Sequence, residues 1–315
     1  MKITHTPVLL EETMQYLAPP EGVSLVLDGT QGEGGHSEEF LRRFHSCKLI
    51  GVDADPAIQK VAMERLSRFG GRVYFYSGWT QDFLLDYPTQ FKQPDIILLD
   101  LGISSFHYEE SKRGFSFKQD EALDMRLDAS KGTTAAMLIA QLPEKELADI
   151  LYHNAEERHS RRIAKAIVEQ RRVSPITTTT ALAELVASVV PESYRHMHIH
   201  PATRTFQALR IAVNGELSRL PELLESALRV LEPGGKLGVI TFHSLEDRIV
   251  KNFFRMKNKD CTCPPENPIC NCSGRRAVNI LTRKGVCPSD AEIEQNPPSR
   301  SARLRVVEKI LEDGQ

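Results

Sequence analysis

Short apolar runs alternate with amphipathic stretches over the first hundred residues of the chain. Each run is four or five residues long, and helically spaced segments separate one run from the next. The predicted strands are Ser24–Leu27, Lys48–Val52, Val73–Tyr76 and Asp95–Leu99. Alternation of this kind favours a parallel α/β sheet with right-handed crossovers.

The pattern changes after Phe106. Strand-like runs are absent from the sequence up to about Thr203, and helical spacing replaces them. The predicted helices are Ala135–Leu142, Glu144–His153, Arg158–Arg172 and Ala181–Val190. The α/β pattern is expected to resume at Phe206–Val213 and to continue with a helix at Pro221–Leu231 and strands at Lys236–Phe242 and Ala302–Ile310. We therefore predict an α/β domain of residues 1–105 and 206–315, interrupted after the fourth strand by a helical domain of residues 106–205.

Composition and charge narrow the class of protein. With 315 residues, 41% hydrophobic and 26% charged, the chain has an ordinary globular composition. A net charge of −2 argues against a general polycationic binder of nucleic acid, although it permits local basic patches. The first residues lack the pattern of a signal peptide, and no apolar run approaches the roughly 20 residues that span a bilayer. We expect a cytoplasmic protein without a membrane partner.

A glycine-rich turn follows the first predicted strand, from Asp28 to Gly35. Such a turn lets a ligand lie against main-chain N–H groups at the start of a helix; an ordinary strand-to-helix turn is the alternative. Asp53 closes the next strand about 20 residues further on, where a ribose diol is usually held. Together they favour a nucleoside ligand, while the missing G-x-G-x-x-G pattern weakens NAD. Asp100 places a second carboxylate at the same sheet edge, unless it only caps a helix.

Seven blocks of sequence between residues 5 and 305 resemble one protein family. The blocks are His5–Leu10, Asp28–Thr30 with Gly34–His36, Arg113–Phe117, Leu123–Arg126, Arg204–Arg210, Phe242–Arg248 and Ser299–Arg305. They are similar to those of the RsmH (MraW) family of bacterial 16S ribosomal RNA cytosine-N4 methyltransferases. The turn Leu231–Lys236 also resembles a helix–turn–strand step of the class I S-adenosylmethionine-dependent methyltransferase sheet.

The resemblance implies a class I methyltransferase fold with S-adenosylmethionine as cofactor. It also implies transfer of a methyl group to N4 of a cytidine in the decoding region of 16S ribosomal RNA. We expect this transfer to be direct and in line, without a covalent enzyme intermediate. The implied cofactor contacts are Gly34, Gly35, His36, Asp53, Trp79, Asp100 and His107. Asp100 is the candidate catalytic residue: it either accepts a hydrogen bond from N4 or only orients the cofactor. His107 stands where the family usually has glutamine, and Trp79 where it usually has phenylalanine.

The RNA contacts are assigned to Arg113, Phe115, Arg204, Arg300 and Arg303. Aromatic residues such as Phe115 can stack on a flipped base, but they can equally be core residues. A basic run from Arg158 to Arg172 in the predicted helical domain is either an RNA contact or a solvated helix face. The expected partner is 16S ribosomal RNA in the small ribosomal subunit. Whether free RNA is also a substrate, and whether the protein forms a homodimer, is left open by the sequence.

Four of the six cysteines form two C-x-C pairs, Cys261 with Cys263 and Cys270 with Cys272. Four thiolates can hold a tetrahedral zinc ion, but C-x-C spacing is less typical of zinc sites than C-x-x-C. We predict reduced thiols and no bound metal. Three other functions stay open on the residues alone: methylation of another nucleic acid or of a ribosomal protein, non-catalytic nucleotide binding, and NAD-dependent oxidoreduction.

Overall fold

The computed structural model describes residues 6–195, 199–261, 263 and 275–310. The strands are β1 (Leu25–Asp28), β2 (Lys48–Asp53), β3 (Val73–Ser77), β4 (Ile96–Asp100), β5 (Lys236–Thr241), β6 (Val278–Ile280) and β7 (Arg303–Lys309). The helices are α1 (Leu10–Tyr16), α2 (Gly35–Arg43), α3 (Pro56–Leu66), α4 (Thr80–Leu85), α5 (Ser105–Glu109), α6 (Ala135–Gln141), α7 (Glu144–Ala155), α8 (Ser160–Val173), α9 (Thr179–Val189), α10 (Glu192–Arg195), α11 (Thr203–Asn214), α12 (Glu216–Val230), α13 (Ser244–Lys257) and α14 (Asp290–Gln295). Two short 3₁₀ helices cover Ser67–Arg72 and Pro297–Ser301.

The seven strands form one sheet in the order β3-β2-β1-β4-β5-β7-β6. The first five strands are parallel, whereas β7 lies between β5 and β6 and is antiparallel to both. This order, with its single reversed strand, is that of the class I S-adenosylmethionine-dependent methyltransferase sheet. The predicted fold class is confirmed, and a helical insertion lies between β4 and β5 as expected.

The sheet is covered on both faces, and its central strands are apolar between their end residues. Leu25 and Leu27 of β1 belong to one buried cluster with α12 and α13. Val26, between them, belongs to a second cluster with α1 and α2. Successive side chains of a strand point to opposite faces, so an uninterrupted apolar run is what a sheet buried on both sides requires.

Contacts between Cα atoms group the chain into two units. One contains Met1–Ile103 and Arg219–Gln315, and the other contains Ser104–Ser218. The second unit has its own core, which is built from α7, α8, α9 and α11. Its fully buried side chains include Leu147, Leu151, Ile163, Ile167, Leu182, Val186 and Leu209.

The segment Phe206–Val213 differs most from the sequence expectation. It lies inside α11 and belongs to the helical unit, so the predicted boundary at residues 205/206 falls within a helix. The helix continues past this boundary for another ten residues, until Gly215 adopts a left-handed conformation with φ of 64° and terminates it. None of the described helices is long and apolar enough to cross a membrane.

Candidate functional site

Three aspartates stand at the carboxyl ends of neighbouring strands in the sheet unit. Asp28 ends β1, Asp53 ends β2 and Asp100 ends β4. Because β1 lies between β2 and β4, the three carboxylates share one edge of the sheet. In open parallel α/β sheets ligands bind at this edge, where the strand order reverses.

The glycine turn between β1 and α2 depends on the small size and the backbone conformation of its glycines. Gly34 precedes α2 with φ of 78°, a left-handed conformation that glycine adopts without a steric penalty. A Cβ atom on Gly35 would collide with the ring of Pro7. The turn is also tied to the next strand, because the Gln31 N–H donates to the Val52 carbonyl at 2.9 Å. The predicted Gly34 and Gly35 are thus placed at the start of a helix, beside the end of β2.

Asp53 holds the turn from the side of β2. Its Oδ2 accepts a hydrogen bond from the Gly32 N–H at 2.7 Å, and its Oδ1 accepts one from the Asp55 N–H at 2.8 Å. Each carboxylate oxygen has two lone pairs, so an oxygen that accepts one main-chain hydrogen bond can also accept one from a ribose hydroxyl.

The carboxyl groups of Asp28 and Asp100 both have raised pKa values. Burial raises the pKa of Asp28 to about 6, with the charge of Asp53 adding to the effect and the Ser37 hydroxyl, which donates at 2.6 Å, opposing it. Burial also raises the pKa of Asp100 to about 7, and the charges of Asp28 and Glu246 add to it. Desolvation and like charges both disfavour the ionised form of a carboxyl group. Asp100 therefore changes its charge near neutral pH.

His36 lies next to Asp100. Its Nε2 is 3.0 Å from the carbonyl oxygen of Val8, and its Nδ1 is 3.8 Å from Oδ2 of Asp100. The imidazole is buried, with 6% of its surface exposed. The N-terminal segment thus orients the ring, and the ring borders the carboxylate predicted to be catalytic. His5, which begins the first family block, lies outside the described residues.

Trp79 follows β3 and stands two residues beyond the register partner of Asp53, which is Ser77. The Gly78 N–H donates to the Asp53 carbonyl oxygen at 2.8 Å, so the loop carrying the indole is tied to the end of β2. The Thr80 hydroxyl donates to the Gly29 carbonyl and ties the same loop to the glycine turn. The Asp53 carboxylate and the Trp79 indole therefore lie on adjacent, connected loops.

His107 belongs to the helical unit, in α5. It is buried and packs edge-on against Phe115, with ring centroids 5.3 Å apart. Phe115 is itself 5% exposed and lies 5.7 Å from the Arg113 guanidinium. These residues form the aromatic interior of the unit, and the roles predicted for His107 and Phe115 towards ligands stay predictions.

The other residues assigned to RNA have different surroundings. Arg113 donates through Nη1 to the carbonyl oxygens of Arg126 and Leu127, and Arg204 donates to that of Glu156 at 3.1 Å. Arg300 and Arg303 are exposed in the sheet unit. Arg305, two residues further on, is buried and forms an ion pair with Asp247 through two hydrogen bonds of 2.6 and 3.0 Å. Of the three arginines, Arg300 and Arg303 are thus exposed, whereas Arg305 joins β7 to α13.

Several residues that border the site were missed by the sequence reasoning. Thr30 accepts a hydrogen bond from the Asp100 N–H through Oγ1 at 2.5 Å, and thereby connects the glycine turn to β4. Glu246 is 2% exposed and accepts from the Phe242 N–H at 2.8 Å. The signal for Glu246 is its place three residues after His243, the N-cap of α13, in a capping box. Arg219, which lies over the ring of Trp79, leaves no local signal in the sequence.

The cysteine pairs lie only partly in the described residues. Cys270 and Cys272 are outside them, while Cys261 accepts a weak hydrogen bond from the Cys263 N–H at 3.4 Å. Among the described residues, there is no group of three or more His, Cys, Asp or Glu side chains arranged to hold a metal ion. The zinc alternative is therefore untested, as is the prediction of reduced thiols.

The sheet, the glycine turn and the aspartates at the strand ends define a nucleoside-binding α/β methyltransferase. The model of the MraW methylase family matches residues 2–310, and the chain belongs to this family, as its sequence blocks predict. It is 56% identical over 310 residues to a ribosomal RNA small subunit methyltransferase H of Treponema denticola, covering 98% of each chain. A protein of the same name from Syntrophobacter fumaroxidans is 48% identical, over 98% of this chain and 97% of that one.

A solved rRNA methylase structure from Streptococcus thermophilus gives a TM-score of 0.41 at 11% identity, over 99% of this chain and 100% of that one. Such a level of similarity bears on neither activity nor substrate. Family membership and the sheet together identify S-adenosylmethionine as the cofactor. The side chains at this sheet edge fit S-adenosylmethionine. Asp53 can accept hydrogen bonds from a ribose diol, Trp79 has a flat apolar face for adenine, and the Asp100 carboxylate can attract the positive sulfonium.

Proposed function

We propose that the protein methylates N4 of a cytidine in the decoding region of 16S ribosomal RNA. The observation that carries the proposal is the Asp100 carboxylate, which is 16% exposed and stands beside His36 at the same edge of the sheet as Asp53 and the loop of Trp79. Support for the substrate comes from the two relatives, both named ribosomal RNA small subunit methyltransferase H. The cytosine-N4 specificity follows from the resemblance of the sequence blocks.

The cofactor is positioned by residues at three strand ends. Asp53 accepts hydrogen bonds from the ribose, Trp79 stacks on the adenine, and the turn at Gly34, Gly35 and His36 lines the remainder of the molecule. When bound, S-adenosylmethionine supplies a methyl group already activated by a sulfonium. The protein therefore has to align the acceptor more than to activate the donor.

Asp100 accepts a hydrogen bond from the N4 amino group and takes its proton. The amino group of cytosine is a poor nucleophile because its lone pair is delocalised into the ring, so a positioned acceptor is needed. The nitrogen gains a methyl group and must lose one proton, which becomes acidic once the nitrogen carries positive charge. With its pKa raised to about 7, Asp100 is a better proton acceptor than an ordinary aspartate and is still largely ionised slightly above neutral pH.

We assign RNA phosphate binding to the exposed face of α8 in the helical unit. Five basic side chains are exposed on or just before this helix: Arg158, Arg161, Arg162, Lys165 and Arg172. Glu169 adds one negative charge and lies 3.7 Å from Lys165. Arg171, by contrast, donates to the Leu142 carbonyl at 2.8 Å and joins α8 to the end of α6. The buried face of α8 carries the core, so the basic face is available for phosphates.

The experiment that tests the activity is transfer of labelled methyl groups from S-adenosylmethionine to small ribosomal subunits from a strain lacking this enzyme. Label in the RNA supports the proposal. Label in a ribosomal protein supports the alternative substrate, and binding of the cofactor without transfer to particles or naked RNA contradicts the proposed substrate. Asp100→Asn should lower the rate by at least about 100-fold, whereas Asp149→Asn, an exposed residue of α7, serves as a matched control.

A protein that acts on ribosomal RNA works where ribosomes are found, so a cytoplasmic location belongs to the same proposal. Particles and naked RNA in the same assay separate the two forms of substrate. Sedimentation of the purified chain at working concentration addresses the homodimer alternative.

A further inference from the structure

Trp79 is the single tryptophan of the chain, and a cation lies over its ring. The guanidinium carbon of Arg219, on α12, is 4.6 Å from the centre of the indole. Both residues belong to the sheet unit. Tryptophan is the strongest aromatic partner for a cation, and the planar guanidinium stacks on it better than an ammonium does.

The backbone around Trp79 is fixed, but the ring needs a separate restraint. Hydrogen bonds from Gly78 to Asp53 and from Thr80 to Gly29 hold the main chain on both sides of the tryptophan. Trp79 precedes α4, and its side chain makes no capping hydrogen bond there. The indole is partly exposed, and the guanidinium of Arg219 supplies a contact to its ring from another helix.

A second side-chain link joins the same two segments. Gln81, two residues after Trp79, donates to Glu222, which lies one helical turn after Arg219 on α12. Two side-chain links one turn apart therefore join α12 to the loop after β3. The contact between Arg219 and Trp79 is thus one of two side-chain contacts between α12 and the segment that follows β3.

We propose that Arg219 is a positioning residue for the cofactor: it occupies one face of Trp79 and sets the indole so that the opposite face receives the adenine. The inference rests on the proposed role of Trp79 as the adenine platform. It adds a residue on α12 that touches the platform and not the ligand. A restrained ring loses less conformational freedom on stacking, and adenosine ligands therefore bind more tightly.

The first measurement follows the stack itself, without any ligand. Because Trp79 is the only tryptophan, the fluorescence of the whole chain reports on this ring. Arg219→Ala should raise the accessibility of the indole to acrylamide, and Arg219→Lys should raise it less. Glu222→Ala removes the neighbouring link and should leave acrylamide quenching unchanged. Equal quenching of the wild type and Arg219→Ala would overturn the proposal.

The second measurement is calorimetric titration with S-adenosylhomocysteine in a double-mutant cycle. Arg219→Ala should raise Kd about threefold to fivefold, as expected for an exposed cation–π contact. In a Trp79→Leu background, which keeps apolar bulk but removes the platform, the same change should have no further effect. Trp79→Phe should keep part of the coupling.

The outcomes separate this inference from the proposed function. If Trp79→Leu weakens binding and Arg219→Ala does not, the platform stands and the role of Arg219 is overturned. If Arg219→Ala weakens binding equally with and without Trp79, Arg219 contacts the ligand directly and is not a positioning residue. If the wild type binds neither S-adenosylmethionine nor S-adenosylhomocysteine, both the proposed function and this inference fail.

Discussion

Asp53 accepts a hydrogen bond from the main-chain N–H of Gly32 through Oδ2, at 2.7 Å. One carboxylate therefore has an observed task and a proposed one: it fixes the glycine turn, and we propose that it accepts hydrogen bonds from a ribose. The two tasks reinforce each other, because the turn that Asp53 holds is the one against which the rest of the ligand lies. A change at Asp53 should affect the binding of ligand and the stability of the turn together.

Asp53→Ala should weaken the binding of S-adenosylhomocysteine by about 1.5–3 kcal/mol, since it removes a charged hydrogen-bond acceptor. Asp55→Ala is the matched control on the same loop. Asp55 caps α3 by accepting from the Ala57 N–H at 2.9 Å, so its loss should cost about 1 kcal/mol of stability and leave affinity unchanged. Calorimetric titration and thermal unfolding of both variants separate the two effects. Unaltered affinity in Asp53→Ala would remove this residue from the site.

The preference for S-adenosylmethionine over S-adenosylhomocysteine should increase with pH. Asp100, with its pKa raised to about 7 by burial, is mostly neutral at pH 6 and mostly ionised at pH 8. Only the ionised form attracts the positive sulfonium, which S-adenosylhomocysteine lacks. The ratio of the two dissociation constants should therefore shift by about threefold to tenfold in favour of S-adenosylmethionine over this range.

Other titratable groups face Asp100 and must be considered in that test. Asp28 and Glu246 carry negative charge towards it, and the His36 imidazole lies 3.8 Å away. Asp28, whose pKa is raised to about 6, contributes to the same trend at lower pH. Asp100→Asn should remove most of the pH dependence above pH 6.5. If the variant keeps the full wild-type dependence, the sulfonium is not near Asp100.

RNA binding should lose salt dependence when the basic face of α8 is neutralised. Each lost phosphate contact lowers the slope of log K against log[salt] by about 0.7–0.9. Arg162→Gln should show a decrease of this size, and the triple variant with Arg161→Gln and Lys165→Gln a larger one. Arg255→Gln, an exposed arginine of α13, is the matched control. Filter binding at several salt concentrations measures the slopes, and identical slopes for wild type and triple variant would exclude the α8 surface.

Arg305 should be important for stability, unlike its neighbour Arg303. Its side chain is 6% exposed and pairs with Asp247, which is 15% exposed, across β7 and α13. Arg305→Met leaves a largely buried carboxylate without its partner and should lower the free energy of unfolding by about 3 kcal/mol. Arg303→Met, at an exposed position of the same strand, should change it by less than about 0.5 kcal/mol. Urea unfolding compares the two, and equal midpoints would contradict the assignment.

Local patterns predict much of the fold and part of the site. The apolar runs of β1 to β5 are contiguous in sequence, and aspartates end β1, β2 and β4, so the sheet edge and its aspartates can be predicted from the sequence alone. The prediction for the segment Phe206–Val213 was wrong because its apolar residues fit a short strand as well as a buried helix. In the structure it is part of α11, which packs against α7.

Long-range contacts account for what the sequence did not indicate. Arg219 meets Trp79 across 140 positions of the chain, and Arg305 meets Asp247 across 58. Neither pair leaves a spacing pattern, because the sheet order and not the local sequence brings the partners together. For the same reason the basic block at residues 299–305 gave no sign that one of its arginines is buried.

The most direct test of the proposed function is the identity of the methylated nucleoside. Small subunits from a strain lacking the enzyme are incubated with the purified chain and S-adenosylmethionine, and their RNA is digested to nucleosides and analysed by mass spectrometry against standards. The account predicts N4-methylcytidine, located in a fragment of the decoding region and absent when Asp100→Asn replaces the wild type. Methylation at another atom of cytosine, or of another base, would contradict it.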